Sequence, residues 1–294
     1  MTEADGVRVD SLAVVTVAYN SSGHMEPFLS SLRESETPQW KVLIADNASR
    51  DVEVLDSIAE RYDAEVLHLP QNLGYGGAIN AAVQTLPAAV EWILVVNPDV
   101  AFRDGAITSL LAAGVGHPSA GAVGPGVVDS TNEVYPSARN LPSLRTGVGH
   151  AVFTRVWPGN PWTRAYFSDR GSSEPRTAGW LSGSCILVRR SAYDAVGGFD
   201  EGFFMYFEDV DLGYRLGRAG WQSLYWPTAV VEHSGAHSTS SDSARMILVH
   251  HESAYRYLAK KYRGWYLAPL RWALRLGLAS RGSWMAAQER RRVR

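Results

Sequence analysis

The sequence predicts an α/β fold: a mostly parallel central sheet flanked by helices, followed by a helical, basic C-terminal extension. Three observations carry this. Four short apolar runs rich in branched residues lie between Leu12 and Val96. Segments with helical spacing separate them. Each run ends in a polar cluster. Short apolar runs suit strands buried on both faces of a parallel sheet. Their alternation with helices reads as βαβ units.

The first run is Leu12 to Val17 and the second Trp40 to Ala45. Glu65 to Leu69 is the third and Trp92 to Val96 the fourth. Between them, Phe28 and Leu32 pair on one helix, and Val54, Ile58 and Tyr62 line a stripe on another. The polar ends are Tyr19-Asn20-Ser21-Ser22, Asp46-Asn47-Ala48-Ser49, Gln71-Asn72-Leu73-Gly74 and Asn97-Pro98-Asp99. Open α/β sheets bind ligands outside the carboxyl ends of their strands, so these four clusters predict the site. Tyr135 to Trp180 holds five prolines and six arginines with weak periodicity. It reads as a long functional loop region or as a surface insertion. Ser184 to Val188 then reads as a strand, Asp209 to Ala219 as a helix closed by Gly220, and Trp221 to Trp226 as a final strand.

Composition bounds the class. The chain has 294 residues, 46% hydrophobic and 20% charged, as in a soluble globular protein. Its one cysteine, Cys185, rules out an intrachain disulfide and fits a reducing compartment. The polar N-terminus has no signal-peptide core. The net charge of −2 hides an asymmetry. Arg256 to Arg294 carries eleven Lys or Arg and one acid, Glu289; subtracting that +10 leaves −12 on the first 255 residues. A basic tail on an acidic body suggests a phosphate-rich surface or a solubilising tail. The acidic body argues against nucleic acid. Leu267, Leu270, Leu274 and Leu278 fall at helical spacing with Arg271 and Arg275 beside them. Such a helix lies on an anionic bilayer or packs on the body.

Three constellations carry chemistry. Glu208, Asp209 and Asp211 follow the aromatic run Phe203-Phe204-Met205-Tyr206-Phe207. Aromatic surroundings resist solvation of a carboxylate and tune it as a base. The other reading is acids at a helix N-terminus. Asp99 with substrate diphosphate and water makes a normal Mg²⁺ or Mn²⁺ shell, and His233 or His237 can complete it or be structural. No Cys/His cluster suits zinc. Asp46 either accepts the imide N–H of a uracil or thymine, or caps a helix. Asn72 to Asn80 is a glycine turn opening a helix: a phosphate approach or plain punctuation. The dinucleotide fingerprint fails, because Ile79 stands where the third glycine belongs. The first strand also lacks the glycine-rich loop of a nucleotidyltransferase.

Taken in order, Tyr19-Asn20, Ala45-Asp46-Asn47, Asn72-Leu73-Gly74-Tyr75-Gly76, Asn97-Pro98-Asp99, Leu181-Ser182-Gly183-Ser184 and Glu208-Asp209-Val210-Asp211 resemble the inverting family 2 glycosyltransferases of GT-A fold. Tyr135 to Arg139, Trp157-Pro158, Asn160-Pro161-Trp162 and Ala268 to Trp272 resemble the rhamnosyltransferases of the mycobacterial-type cell-wall linker. The resemblance implies an α/β GT-A catalytic domain over 12–240, with 135–180 as acceptor-side loops. Residues 1–11 are expected as a flexible N-terminus and 241–294 as a helical, basic, membrane-associating extension. It implies Asp209 as catalytic base, Glu208 as supporting carboxylate and Asp211 as structural. Thr16, Ala18, Tyr19, Asn20, Asp46, Asn72, Gly74, Tyr75, Gly76, Asn80 and Asn97 would bind nucleotide or donor. Trp180, Ser182, Gly183 and Ser184 would line the donor–acceptor boundary. Asp99, last acid of a motif reduced to Asn-Pro-Asp, and His233 would hold Mg²⁺ or Mn²⁺. The implied donor is a dTDP-sugar, dTDP-rhamnose, and the acceptor a polyprenyl-diphosphate N-acetylglucosamine. The implied place is cytoplasmic and peripheral on the inner face of the cell membrane, and a homodimer is compatible with it. Another nucleotide-sugar or polysaccharide acceptor is the alternative.

Overall fold

The structure is a computed structural model. It describes residues 3–4, 7–8, 11–35, 40–144, 157, 174–235 and 243–292. His237 and most of the 135–180 stretch lie outside them.

A short antiparallel pair, β1 (Glu3–Ala4) with β2 (Val7–Arg8), precedes the sheet. Then come β3 (Leu12–Ala18), α1 (Ser22–Ser35), β4 (Lys41–Asp46), α2 (Val52–Arg61), β5 (Glu65–His68), α3 (Gly74–Thr85) and β6 (Trp92–Val96). The chain continues through β7 (Val100–Phe102), α4 (Ala106–Gly116), β8 (Ala120–Val128), β9 (Val134–Tyr135) and β10 (Ala138–Arg139). After β11 (Arg176–Ala178) and β12 (Trp180–Leu181) follow β13 (Cys185–Arg189), α5 (Arg190–Ala195), α6 (Glu208–Arg218) and β14 (Gln222–His233). Two helices close the chain: α7 (Ser243–Lys261) and α8 (Ala268–Arg292).

The 10-stranded sheet has the order β11-β14-β8-β13-β6-β3-β4-β5, with β7 paired to β14 and β9 to β8 off that path. Strands β5, β4, β3 and β6 are parallel neighbours, and β8 is parallel to β14. Strand β13 runs against both β6 and β8, so it alone is reversed among the long strands. The order turns back at β3 and β6, whose carboxyl ends form the switch point where ligands bind in open sheets.

Every residue of β3 is buried because the strand feeds two cores. Leu12 and Val14 join Phe28, Leu55 and Ile107 on one face. Ala13, Val15 and Val17 join Ile79, Leu212 and Leu216 on the other. At roughly 1.5–3 kcal/mol per fully buried large apolar side chain, these two layers dominate the driving force. Two expectations shift. The α2 stripe is Leu55, Ile58 and Ala59, with Val54 exposed. The third run is an edge strand, only half-buried.

The C-terminal extension divides. Helix α7 packs on the body: Tyr257 is fully buried with Phe203 and Val210. Helix α8 lies along α7, where a Cβ on Gly282 would stand 3.1 Å from His251 Cβ. Leu274 and Leu278 sit about two turns and one turn before Gly282, so the leucine stripe faces α7, Leu270 excepted.

Candidate active site

Strand β14 ends at His233, opposite Val100 of β7. That register sets His233 Nε2 3.1 Å from Asp99 Oδ1. Ser234 N–H also donates to the Asp99 carbonyl. The expected final strand stopped at Trp226; it passes through an irregularity before Val230 and runs on to His233. Asn97 N–H donates to the Ser184 carbonyl at 2.9 Å. One residue away, Gly183 N–H donates to Asp209 Oδ2 at 3.0 Å. Asp99, His233 and Asp209, remote in sequence, therefore share one end of the sheet. The Tyr75 hydroxyl joins them by donating to the Gly183 carbonyl at 2.8 Å. Burial raises its pKa, and the charges of Glu208, Asp209 and Asp99 raise it further.

Helix α6 begins at Glu208, after Tyr206 and Phe207 in left-handed conformation (φ 66° and 65°). Non-glycine residues adopt that region at a cost, and strain of this kind collects at functional sites. Of the leading acids Glu208 is buried and Asp209 half-buried. Burial, then the Asp209 charge, pushes Glu208 to about 8, and its Oε2 has no hydrogen-bond partner among the described residues. Burial also raises Asp209, opposed by N–H donors from Gly183 and Val210 and by the Arg139 charge. The N–H donors on Asp209 favour its ionised form over that of Glu208, whose Oε2 has none among the described residues. Asp211 is apart from this pair: fully buried, it binds Arg215 (2.6 Å) and Lys260 (2.5 Å).

The neighbouring strand ends are laced together by a residue not singled out from sequence. Asn47 Nδ2 donates to Asn72 Oδ1 and the Gly74 carbonyl, and its Oδ1 accepts Leu73 N–H. No sequence signal pairs residues so far apart. Asp46, buried at the end of β4, accepts Ser49 N–H at Oδ1 and faces His68 Nδ1 at 3.2 Å. The helix-cap reading of Asp46 fails, because Asp51 occupies the N-cap of α2. Asn20 Oδ1 accepts Arg50 N–H, and Ala18 carbonyl accepts Asn47 N–H. Tyr19 is exposed, and Thr16 is buried with no partner for Oγ1 among the described residues. Ser182 and Ser184 hydroxyls meet at 3.1 Å, and Trp180 Nε1 donates to the Asn140 carbonyl.

Three expected donor contacts are corrected. Gly74 (φ +76°) starts α3, and a Cβ there would stand 2.3 Å from the Phe204 carbonyl oxygen; Gly76 packs on Phe199. These glycines admit the 199–204 segment rather than phosphate. The amides of Gly74 and Tyr75 already donate to Asn72 Oδ1 and the Phe204 carbonyl. Asn80 turns away: Nδ2 donates to Phe199 carbonyl and Glu201, and Oδ1 accepts Tyr193 O–H and Phe199 N–H.

The Asp99–His233 pair supplies one oxygen and one nitrogen donor, a set that suits a divalent cation whose remaining positions are filled by substrate oxygens and water. No group of three or more His, Cys, Asp or Glu gathers as a metal cage among the described residues. A cavity of about 960 Å³ lies elsewhere, lined by Tyr214, Arg218, Tyr255 and Arg263 of α6, α7 and the segment after it.

A nucleotide-binding type of sheet with carboxylates gathered beyond its switch point is the architecture of a GT-A glycosyltransferase. Comparison with known proteins agrees. Residues 13–197 match the glycosyl transferase family 2 model, and 146–287 that of glycosyl transferase family group 2. The chain belongs to glycosyl transferase family 2 and is a glycosyltransferase. It is 47% identical to the N-acetylglucosaminyl-diphospho-decaprenol L-rhamnosyltransferase of Mycobacterium tuberculosis, over 97% of this chain and 96% of that one. It is 25% identical to rhamnosyltransferase WbbL of Escherichia coli, over 84% and 92% of the two chains. A mannosyltransferase of Pyrobaculum calidifontis, solved with GDP-Man and Mn²⁺, shares the fold: TM-score 0.61, 15% identity, 95% of this chain and 73% of that one.

Proposed function

We propose that the chain moves L-rhamnose, with inversion, from dTDP-rhamnose to N-acetylglucosaminyl-diphospho-polyprenol. Full-length similarity to the M. tuberculosis enzyme supports the substrates. The chemistry rests on one observation: Asp209 held by two backbone N–H donors, which favour its ionised form, beside the buried Glu208, whose pKa burial pushes up to about 8. In this reading the acceptor hydroxyl gives its proton to Asp209 as its oxygen attacks the anomeric carbon in line. The bond to the dTDP oxygen breaks, and dTDP leaves. One base suffices, whereas a glycosidase needs two carboxyls flanking the bond. Asp99 and His233 would hold Mg²⁺ or Mn²⁺, which when bound neutralises the diphosphate. Asp46 would meet the thymine edge, with Asn47 and Asn72 keeping that wall in place. Label from dTDP-rhamnose is expected on lipid-linked N-acetylglucosamine, lost after EDTA and regained with either metal. Transfer only from UDP- or GDP-sugars, or transfer indifferent to EDTA, would refute the substrate or the metal assignment respectively.

The acceptor's lipid brings the enzyme to a membrane. Among the described residues no helix is long and apolar enough to cross one. On the proposed reading α8 contacts an anionic bilayer from the side opposite α7. Just before α8 stand Trp265 (86% exposed) and Tyr266 (68%), and α8 itself exposes Trp272 (67%) and Trp284 (62%). Amphipathic rings favour the headgroup level, and Arg290, Arg291 and Arg292 add attraction. Replacing Trp265, Trp272 and Trp284 together by Ser is expected to remove most binding to anionic liposomes in flotation. Replacing only Arg33, remote from α8, should leave it intact. A triple variant that floats like the parent refutes the contact.

A further inference from the structure

We infer that Arg139 forms a subsite for the diphosphate of the acceptor, next to the base; this rests on the lipid-linked acceptor proposed above. The segment carrying Arg139 is fixed to the segment carrying Gly183. Strand β10 pairs antiparallel with β12, Arg139 opposite Trp180. Gly179 N–H donates to the Arg139 carbonyl, and Ser182 N–H to the Ser137 carbonyl. Gly183 then holds Asp209. The position of the guanidinium relative to the base is thus set by backbone hydrogen bonds.

Its side chain is oriented but not consumed. Arg139 Cζ stands 5.4 Å from the Tyr135 ring centroid and 5.6 Å from that of Trp180. Nε donates to the Pro136 carbonyl at 2.8 Å. Neither Nη has a hydrogen-bond or ion partner among the described residues. Structural arginines of this chain look different. Arg215 binds Asp211 and the carbonyls of Val196 and Gly198. Arg189 binds the carbonyls of Ala120 and Gly114 over the Trp92 ring. Arg139 keeps its outer donor edge open between two aromatic rings, one of them on the exposed Tyr135. A planar donor fork held this way matches a phosphate in two-point contact.

Arg139 and Asp209 interact through space, the cation favouring the ionised carboxylate, yet they form no ion pair among the described residues. The donor diphosphate would find its counter-charge in the divalent cation that Asp99, after β6, and His233, at the end of β14, would hold. Arg139 instead belongs to the separate β10–β12 pair. In the acceptor, the reactive hydroxyl and the diphosphate are attached to the same sugar ring, so a base and a cation side by side serve the two ends of one substrate.

The test uses the full chain with dTDP saturating its site and farnesyl diphosphate as probe, followed by calorimetry. Arg139→Gln is expected to weaken the probe at least about tenfold, as loss of charge-assisted contacts does. Arg139→Lys, which keeps charge but not the fork, should fall between. Affinity for dTDP should stay as in the parent, which also reports intact folding. Equal probe affinity in parent and Arg139→Gln, or a matching loss of dTDP affinity, overturns the subsite. In turnover assays the acceptor KM should rise with the donor KM unchanged; a rise in donor KM alone also overturns it. A parent enzyme that transfers no rhamnose would refute the functional reading instead, because the probe measurement needs no sugar transfer.

Discussion

Asp209→Asn is expected to lower kcat by about 10²–10⁴, the usual contribution of a general base, while dTDP still binds. The amide keeps the shape of the side chain, and its one oxygen can still accept from Gly183 or from Val210, though not from both as the two carboxylate oxygens do. It cannot take the acceptor proton. The pH dependence follows from the same pair. Burial raises the pKa of Asp209, and only its ionised form is a base. Activity is therefore present above that raised pKa and is lost as pH falls through it. Glu208, pushed to about 8 by burial and the Asp209 charge, favours its neutral acid form at neutral pH. Glu208→Gln should consequently retain most activity, because the amide mimics the neutral acid. Near-normal turnover by Asp209→Asn, or an equal collapse in Glu208→Gln, would reverse the two roles.

What could be read from sequence follows from where each signal resides. The runs at Leu12, Trp40 and Trp92 were legible because their strands feed two apolar layers at once, which forces continuous hydrophobicity. Strand β8 was not: Ala120 to Val128 includes Gly121, Gly124, Pro125 and Gly126, which read as turn residues. Its glycines exist for close packing, Gly124 against Leu181 and Gly121 against Trp221. The acids of the site were visible as residue types at strand and helix ends, and their order made the resemblance. Their meeting was not visible, because it depends on the β7–β14 register and on the Asn97–Ser184 hydrogen bond. The glycine turn misled for a related reason. Left-handed φ and missing Cβ are the same signal whether phosphate or backbone comes close, and here it is Phe204.

Asp211→Ala should be the most destabilising single change near the site, costing about 3 kcal/mol, the low end for breaking a buried ion pair. The carboxylate is fully buried between Arg215 on its own helix and Lys260 on α7. Removing it leaves two cations facing each other without their shared anion. The low end applies because Arg215 and Lys260 side chains keep 19% and 32% exposure, so water screens part of the penalty. Asp200 provides the comparison. It also binds Lys260, and Arg256, but its side chain is 24% exposed and Arg256 44%. Asp200→Ala should cost nearer 1 kcal/mol, as exposed pairs do. Urea unfolding of the two variants measures the difference, and equal losses would refute the role given to Asp211. The larger loss has a catalytic consequence, because α7 also steadies the turn that presents Glu208 and Asp209. Ser253 donates to the Met205 carbonyl, and the His250 ring lies 5.5 Å from those of Tyr206 and Phe207, the two left-handed residues. Loosening α7 frees that strained turn to relax, so Asp211→Ala should lose activity at denaturant concentrations where the sheet is still folded. The first helix of the C-terminal extension thereby acts as a support of the catalytic pair.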